Sequence, residues 1–332
     1  MKMHEGQLSI DVAQVRRLVA AQFPQWAGLP VRPVTSYGTV NALFRLGDGL
    51  VARFPLLGED AEAVRRHLEL EAERSAELAE STSVPSPVPV ALGGPGEGYD
   101  LPWSVQTWLP GADAFLDDPG DSLAFAGDLA AFIAELRRLD TRGRTFDGTG
   151  RGGDLTSDDD WVETSLDRSA GLFDVGAARR LWQELRTLPS AGADVMSHTD
   201  LMPGNVLVRD GRLAGVLDGG GFRATDPALD LVAAWHLLEA PARQVFRDTL
   251  GCSERDRIAR EWAYDFGPST TVRGEPNSHG HADVTMTRGR TRRSEPIHDR
   301  ATRPHAFDGA RPAVSIGRCK EAGECFCWCA PV

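Results

Sequence analysis

Lysine is almost absent from this chain. Its only lysines are Lys2 and Lys320, so every cation in the body of the chain is an arginine or a histidine. Cysteine is equally scarce there, because Cys252 is the only one before residue 319. One cysteine cannot form a disulfide framework, which excludes the small secreted proteins that depend on such bridges.

Long apolar runs and an excess of positive charge are missing as well. No apolar stretch approaches the roughly 18 residues that span a bilayer, and the N-terminus lacks the apolar segment of a signal peptide. We therefore expect no membrane association and a cytoplasmic location. The net charge of −12 argues against nucleic-acid binding, which requires a basic face. It would suit a cationic small molecule, although most acidic proteins are simply soluble.

Length and composition are those of an ordinary globular protein. The chain has 332 residues, 41% hydrophobic and 25% charged, enough for about two domains of ~150 residues each. Predicted strands dominate residues 1–108 and predicted helices dominate residues 109–266. Residues 267–332 lose all periodicity and are rich in Arg, Thr, His, Pro and Gly, which predicts a disordered or aberrant tail. Its closely spaced cysteines lack the paired spacing of a structural zinc site.

Periodicity predicts the individual elements. Apolar residues at helical spacing indicate helices, and short runs bounded by glycine turns indicate strands. The predicted strands of the N-terminal part are 31–36, 42–46 and 50–54, with two further strands before residue 110. The predicted helices are 11–24, 59–80, 121–139, 176–188, 227–240, 241–250 and 253–264.

Two later strands carry polar residues at their ends. Strands 205–208 and 213–218 are joined by Asp-Gly at the centre of a two-residue loop, the preferred type I′ hairpin. In that register Asn205 faces Val216, and Asp218 lies diagonally on the same face, about 7–8 Å away. An amide oxygen and a carboxylate that converge in this way suit Mg²⁺ held together with phosphate oxygens.

A further polar group precedes this hairpin. His198, Asp200 and Asn205 have the spacing H-x-D-L-x-x-x-N, which is typical of the kinase catalytic loop. In that loop the aspartate accepts the proton of the substrate hydroxyl and the asparagine binds metal. Phosphoryl transfer needs both, because it depends mainly on positioning and on neutralising charge.

The complete pattern resembles the motif of aminoglycoside phosphotransferases and their relatives, which share the protein-kinase-like fold. The family pattern is roughly H-G-D-x-x-x-x-N, then I-D-F/W, then G-D-P-x-x-D-L. It is matched here by His198, Asp200, Asn205, Asp218, Asp226-Pro227 and Asp230-Leu231. The resemblance implies a two-lobed α+β fold, with an antiparallel sheet lobe over residues 1–108 and a mainly helical lobe over residues 109–266.

The resemblance also implies an enzyme that transfers the γ-phosphate of ATP (or GTP) to a hydroxyl group of a small molecule. Asp200 would be the catalytic base, and Asn205 and Asp218 would bind Mg²⁺. The family phosphorylates aminoglycosides, macrolides, choline, homoserine and similar molecules. An antibiotic kinase and a metabolic kinase are therefore both open as alternatives, and the sequence does not specify an oligomeric state.

Three more residues of the motif would support the site. Asp230 would buttress the catalytic loop, and His198 would tie that loop through hydrogen bonds. Asp226 would support the same arrangement or would act as the N-cap of a helix that begins at Pro227, since proline is favoured at the first helical position.

Two positions depart from the family pattern. Thr199 stands where the family usually has glycine, and Gly219 stands where it has phenylalanine or tryptophan. The second change removes an aromatic side chain that packs beneath the loop of residues 218–221, here called the metal loop. The glycine run in this loop adds chain entropy. We therefore expect a looser metal loop. A catalytically impaired nucleotide-binding protein is a third alternative, although no catalytic group is lost.

The lysine with which kinase-like folds grip the α- and β-phosphates has no counterpart in this chain. Arg53 stands at the matching place in its strand, and Glu71 of the following helix would pair with it. Glu69 and Glu73 are alternatives to Glu71. Arginine can hold phosphate through two hydrogen bonds, although the exchange is not conservative.

Two segments would complete the nucleotide site, and one would face the acceptor. The turn with Ser36 and Gly38 would cover the phosphates, and the chain near Trp108 and Leu109 would receive the base. The acidic run 152–167 could attract a polycationic antibiotic. We favour the alternative that its aspartates complement the dipole of a helix N-terminus.

Overall fold

The computed structural model describes residues 8–34, 41–57, 60–148, 150–171, 174–190 and 192–251, and the backbone of 315–318 and 326–329. The chain divides into two compact units. The first comprises residues 1–147 and 194–251, and the second comprises residues 148–193 and 252–332. Ser36, Gly38, the predicted helix 253–264 and most of the predicted tail lie outside the described residues.

Five antiparallel strands form the main sheet of the first unit, in the spatial order β1-β2-β3-β5-β4. Gly47, with φ 60°, makes the predicted turn between β2 and β3, a backbone conformation that favours glycine. The second and third strands match their predictions to within a residue. The strands are β1 (Val31–Val34), β2 (Asn41–Leu46), β3 (Leu50–Pro55), β4 (Pro89–Gly93) and β5 (Trp103–Thr107).

Two helices pack against this sheet, α1 (Val12–Gln22) and α2 (Ala61–Ser81). Each begins at an aspartate whose side chain accepts a backbone N–H of the first turn, a preferred N-cap. The apolar side of α1 buries the sheet face that carries Phe54 and Trp103, whose rings stack at 4.8 Å. Side chains alternate along a strand, so Arg53, next to Phe54, projects toward α2.

The remainder of the first unit is mainly helical, and α3 lies at its centre. Of the predicted apolar stripe of α3, Leu123 is exposed and the rest is buried: Phe125, Leu129, Phe132, Ile133 and Leu136. The helix packs against α7, β7 and β9. The helices are α3 (Leu123–Arg138), α6 (Ala233–Leu237) and α7 (Ala240–Leu250). The strands are β6 (Ala112–Asp113), β7 (Val195–Ser197), β8 (Val206–Arg209), β9 (Arg212–Val216) and β10 (Arg223–Thr225).

The prediction of one helix over 227–240 is wrong. A 3₁₀ turn (Leu229–Val232) leads into the short α6, and Leu238 is extended. Pro241 then lies in the first turn of α7, where its missing N–H costs nothing, whereas the interior of a continuous helix would lose a hydrogen bond.

The described part of the second unit includes the helices α4 (Asp159–Arg168) and α5 (Val175–Leu185). Arg179 joins them through hydrogen bonds to Glu163 and Asp167. Within the predicted tail, the backbone of β11 (Ser315–Arg318) pairs antiparallel with β12 (Phe326–Cys329). No helix among the described residues is long and apolar enough to cross a membrane.

Candidate active site

A buried carboxylate holds the loop that follows β7. Asp230 accepts the backbone N–H of His198 at 2.9 Å and that of Thr199 at 2.8 Å, one on each carboxylate oxygen. Burial raises the pKa of Asp230, and His198 together with the two N–H groups opposes that rise. These two bonds fix the backbone immediately before Asp200.

Asp200 and Asn205 are in direct contact at the other end of this loop. The Asn205 side-chain nitrogen donates to Asp200 Oδ2 at 2.7 Å and to the Asp200 carbonyl at 3.0 Å. A 3₁₀ turn (Pro203–Asn205) closes the loop. Because the amide nitrogen faces Asp200, the amide oxygen of Asn205 is the atom that can accept a cation, and Asp200 keeps Oδ1 for a substrate proton.

The hairpin that follows has the predicted turn but not the predicted register. Asp210 (φ 53°) and Gly211 (φ 67°) both have the positive φ of a type I′ turn. A bulge then shifts the pairing between Leu207 and Val208, so Val206, instead of Asn205, lies opposite Val216. The proposed diagonal placement of Asp218 is therefore wrong.

Two further hydrogen bonds hold the end of β9 beyond the bulge. The N–H of Val216 donates to the carbonyl of Pro85 at 2.9 Å, and the N–H of Leu217 donates to the carbonyl of Asn205 at 2.7 Å. A Cβ on Gly215 would lie 2.9 Å from the Pro85 oxygen, so the absence of a side chain permits this approach. The end of β9 is thus directed toward the catalytic loop.

Asp218 lies just beyond β9 in the left-handed region, with φ 61° and ψ 48°. Its side chain is 45% exposed, and its Oδ1 lies 3.2 Å from Arg53 Nη2. Non-glycine residues with this conformation cost free energy and concentrate at functional sites. The carboxylate of Asp218 and the amide oxygen of Asn205 are hard donors of the type that Mg²⁺ binds together with phosphate oxygens and water.

One amide oxygen and one carboxylate supply only part of the octahedral shell of Mg²⁺, and phosphate oxygens and water supply the rest. Among the described residues, no three His, Cys, Asp or Glu side chains form a group that could hold a metal ion. Two protein donors combined with phosphate oxygens are a usual arrangement for Mg²⁺ in phosphoryl-transfer sites. The donor set therefore fits a cation that arrives with a nucleotide.

Arg53 connects the sheet, α2 and the metal loop. Its Nη1 lies 3.9 Å from Glu71 Oε2 and 3.5 Å from Gln106 Oε1, and its side chain is only 14% exposed. Glu69 lies near a different arginine, 4.0 Å from Arg65. The geometry thus favours Glu71 over Glu69 as the partner of Arg53.

The glycine run after Asp218 is packed against α2, contrary to the expectation of a looser loop. Gly219 is buried, and a Cβ there would lie 2.8 Å from a methyl carbon of Leu78. A Cβ on Gly220 would lie 2.8 Å from Glu71 Cγ, closer than real Cβ contacts come. Because the aromatic side chain is missing, the helix that carries Glu71 approaches the backbone of the metal loop directly.

The two residues predicted to receive the nucleotide base occupy the chain after β5. The backbone N–H of Trp108 donates to the carbonyl of Gly49, and the Trp108 ring lies under the guanidinium of Arg45 at 4.6 Å. Leu109 packs on Gly215. The N–H of Trp108 is thus engaged within the sheet, and the binding of a base by Trp108 and Leu109 stays a prediction.

A cavity of about 220 Å³ lies between α2 and strands β4 and β5. Its polar lining includes Arg53, Glu71 and Gln106, together with Ser75 and Ser104. Sequence reasoning missed Gln106, because its proximity to Arg53 depends on how β3 pairs with β5. Arg53 pairs with Ser104 across the sheet, and residues two apart on a strand face the same side.

The remaining predicted residues have mainly structural contacts. Asp226 is buried and accepts the backbone N–H of Ala228 at 2.8 Å, just before the 3₁₀ turn. No helix begins at Pro227, so Asp226 is not a helix N-cap. In the acidic run, Asp154 caps Thr156. Asp159 binds Trp182 and Arg186, and the hydrogen bond from Arg186 lowers its pKa. Asp159 and Asp160 lie in the first turn of α4, the position at which carboxylates complement the helix dipole.

The antiparallel sheet with two helices, followed by a catalytic-type loop, a hairpin and an aspartate beyond it, defines a two-lobed protein-kinase-like fold. Comparison with known families gives the more specific result. The Phosphotransferase enzyme family (APH) matches residues 33–270, and the chain belongs to this family. The predicted enzyme class, a phosphotransferase with an alcohol group as acceptor, is confirmed at the level of the family.

Solved structures confirm the predicted fold. A mutant of aminoglycoside 2′-phosphotransferase-IIIa in complex with GDP has a TM-score of 0.62 and 20% identity, covering 78% of this chain and 89% of that chain. Macrolide 2′-phosphotransferase from Brachybacterium faecium has a TM-score of 0.54 and 21% identity, covering 77% and 89%. An APH(2″)-IIa complex with streptomycin and ATP has a TM-score of 0.53 and 17% identity, covering 77% and 86%. No curated protein matches the chain.

Proposed function

We propose that this protein transfers the γ-phosphate of ATP to a hydroxyl group of a small molecule, with Asp200 as base and with Asn205 and Asp218 as Mg²⁺ ligands. The contact between Asn205 and Asp200 carries the proposal, because it sets a metal-type donor beside a carboxylate that keeps one oxygen for a proton. A cytoplasmic location, where ATP is available, accords with this activity.

The reaction requires one proton transfer and one bond exchange. The acceptor oxygen attacks the γ-phosphorus, its proton passes to Oδ1 of Asp200, and the bond from the γ-phosphorus to the bridging oxygen breaks, so ADP leaves. The hydrogen bond from Asn205 orients the Asp200 carboxylate for this step. Proton transfer to a positioned carboxylate contributes roughly 10²–10⁴-fold to such rates.

The phosphates would be bound by Arg53 and by the metal. Bound Mg²⁺ supplies positive charge that neutralises the phosphate oxygens. The Arg53 guanidinium offers two donor edges, which suit phosphate oxygens. Glu71 and Gln106 orient this guanidinium from the side of α2 and β5.

An antibiotic hydroxyl is the acceptor that we propose to test first. Related proteins are named as aminoglycoside and macrolide phosphotransferases, and one was crystallised with streptomycin and ATP. The net charge of −12 would attract cationic aminoglycosides through long-range electrostatics.

The first experiment measures ADP release with Mg-ATP or Mg-GTP against a panel of acceptors. The panel contains kanamycin, gentamicin, streptomycin, a macrolide, choline and homoserine, so it separates antibiotic from metabolic kinases. We expect Asp200→Asn to lower kcat by roughly 10²–10⁴-fold, because the amide cannot accept the proton. Asp210→Asn, at the exposed hairpin turn, is the matched control, since asparagine tolerates the same backbone.

Two results would contradict the proposal. The first is turnover by Asp200→Asn at the rate of the wild-type protein. The second is Mg²⁺-dependent nucleotide binding without turnover on any acceptor of the panel, which would instead support the catalytically impaired alternative.

A further inference from the structure

Thr199 has a backbone conformation that its side chain disfavours. Its φ is 76°, in the left-handed region where a β-branched residue is a genuine outlier. The residue is 9% exposed and lies directly before Asp200. Such strain persists only where surrounding contacts determine it, and it concentrates at functional sites.

Two hydrogen bonds help to hold Thr199 in this position. Its backbone N–H donates to Asp230 at 2.8 Å, and its hydroxyl donates to the carbonyl of Gly221 at 3.2 Å. Gly221 ends the 3₁₀ turn that follows Asp218. The hydroxyl therefore links the loop of the base to the loop of the candidate metal ligand, 22 residues further along the chain.

The glycine at position 221 is needed for this link. A Cβ on Gly221 would lie 2.3 Å from Thr199 Oγ1 and 3.2 Å from the carbonyl of His198. Any side chain there would displace the hydroxyl. The threonine at 199 and the glycine at 221 are thus complementary, because the hydroxyl fills the space that a side chain at 221 would need.

We propose that Thr199 is a positioning residue that fixes Asp200 relative to Asp218 through its hydrogen bond to the turn at Gly221. The inference rests on the proposed phosphotransfer, because the distance between base and metal ligand matters only if both act on one reaction. Removal of the bond leaves every catalytic group present and changes only their relative placement.

The wild-type protein and the variants Thr199→Val, Thr199→Ser and Thr199→Ala together separate the effect of the hydroxyl from the effect of side-chain shape. Threonine and valine are both β-branched and differ in the hydroxyl, and serine and alanine repeat that comparison without branching. We expect Thr199→Val to lower kcat about two- to tenfold relative to the wild-type protein, as for loss of one neutral hydrogen bond. We expect the same loss for Thr199→Ala relative to Thr199→Ser. The KM for Mg-ATP should change less than kcat, because Arg53 and Asp218 are untouched.

The probes are Mg-ATP with the acceptor identified in the panel, and Mg-ATP with water as acceptor. Thermal unfolding is recorded for all four proteins. The proposal would be overturned if Thr199→Val had a lower Tm than the wild-type protein but the same kcat, and if Thr199→Ala compared in the same way with Thr199→Ser. Thr199 would then have a purely structural role. A wild-type protein that transfers no phosphate would overturn the proposed function as well, so the two failures are distinguishable.

A second measurement tests the contact itself without catalysis. Gly221→Ala should lower the Tm in the presence of Thr199, and it should lower the Tm less in a Thr199→Gly background, where the clashing oxygen is absent. Equal losses of Tm in both backgrounds would overturn the complementarity of the two positions.

Discussion

At the scale of single residues, Arg53 is the main departure from kinase chemistry. A lysine ammonium is a compact point charge, whereas the guanidinium has a planar fork of donors. Here the fork reaches Asp218 with Nη2 and lies near Gln106 and Glu71 with Nη1. One ammonium group could not make both sets of contacts at once, so arginine suits this arrangement better than lysine would.

Arg53→Lys should therefore weaken nucleotide binding despite restoring the usual kinase residue. We expect the KM for Mg-ATP to rise about three- to tenfold, equivalent to roughly 1 kcal/mol for loss of one edge of the fork. Steady-state kinetics with varied Mg-ATP measure this change. Arg32→Lys, on the exposed side of β1, is the matched control. An unchanged or lower KM for Arg53→Lys would show that the second edge is not used.

At the scale of elements, α2 and the metal loop form one packed arrangement. The helix approaches the backbone at Gly219 and Gly220, and it carries the glutamate that faces Arg53. A movement of α2 would therefore displace the metal loop and the Arg53 side chain together. This coupling follows from close packing, which transmits displacements instead of absorbing them.

An ion pair attaches the hairpin of β8 and β9 to α3. Arg212 donates two hydrogen bonds of 2.6 Å to Asp128, and the N–H of Leu213 adds a third at 3.3 Å. The hydrogen bond from Arg212 lowers the pKa of the Asp128 carboxyl, and burial opposes this. A carboxyl whose folded-state pKa is lowered contributes stability above its unfolded pKa, and that stability is lost as the pH falls through the folded pKa.

Asp128→Asn should accordingly destabilise the protein at neutral pH and matter little in acid. We expect a loss of about 1 kcal/mol in the free energy of unfolding at pH 7, typical of a partly exposed two-bonded pair. The difference from wild type should shrink as the pH falls below about 4, where unfolded aspartate is protonated. Denaturant titrations at several pH values measure both the loss at pH 7 and its decrease in acid. Asp100→Asn, at an exposed carboxylate, is the control, and a difference independent of pH would refute the assignment.

At the scale of the whole molecule, the candidate site joins segments that are distant in sequence. Arg53 and Asp218 are separated by 165 residues, and no covalent link other than the chain connects them. A ligand that binds both should stabilise the folded state, because the unfolded chain offers no such site.

Magnesium with a non-hydrolysable ATP analogue should raise the Tm of the wild-type protein. At a hundredfold excess over the Kd, the stabilisation is about 2.7 kcal/mol. In Asp218→Asn the added effect of Mg²⁺ over nucleotide alone should be largely lost, since the amide is a weaker cation ligand than the carboxylate. Thermal unfolding with and without a chelator measures this. A magnesium effect of wild-type size in Asp218→Asn would exclude Asp218 as a ligand.

The sequence by itself determined the local features of this protein. The Asp210-Gly211 turn, the apolar stripe of α3 and the spacing of His198, Asp200 and Asn205 were all readable, because each depends on residues close together in the chain. The same spacing led to the family that the comparison then confirmed.

Tertiary structure decided the features that depend on distant partners. The end of β9 is held by the contact of Val216 with Pro85, and the glycine run is packed because α2 lies against it. The strained backbone of Thr199 can be understood only from the hydrogen bond between its hydroxyl and the carbonyl of Gly221. Periodicity and propensity describe neighbours along the chain, whereas these contacts join residues whose proximity exists only after the whole unit has packed.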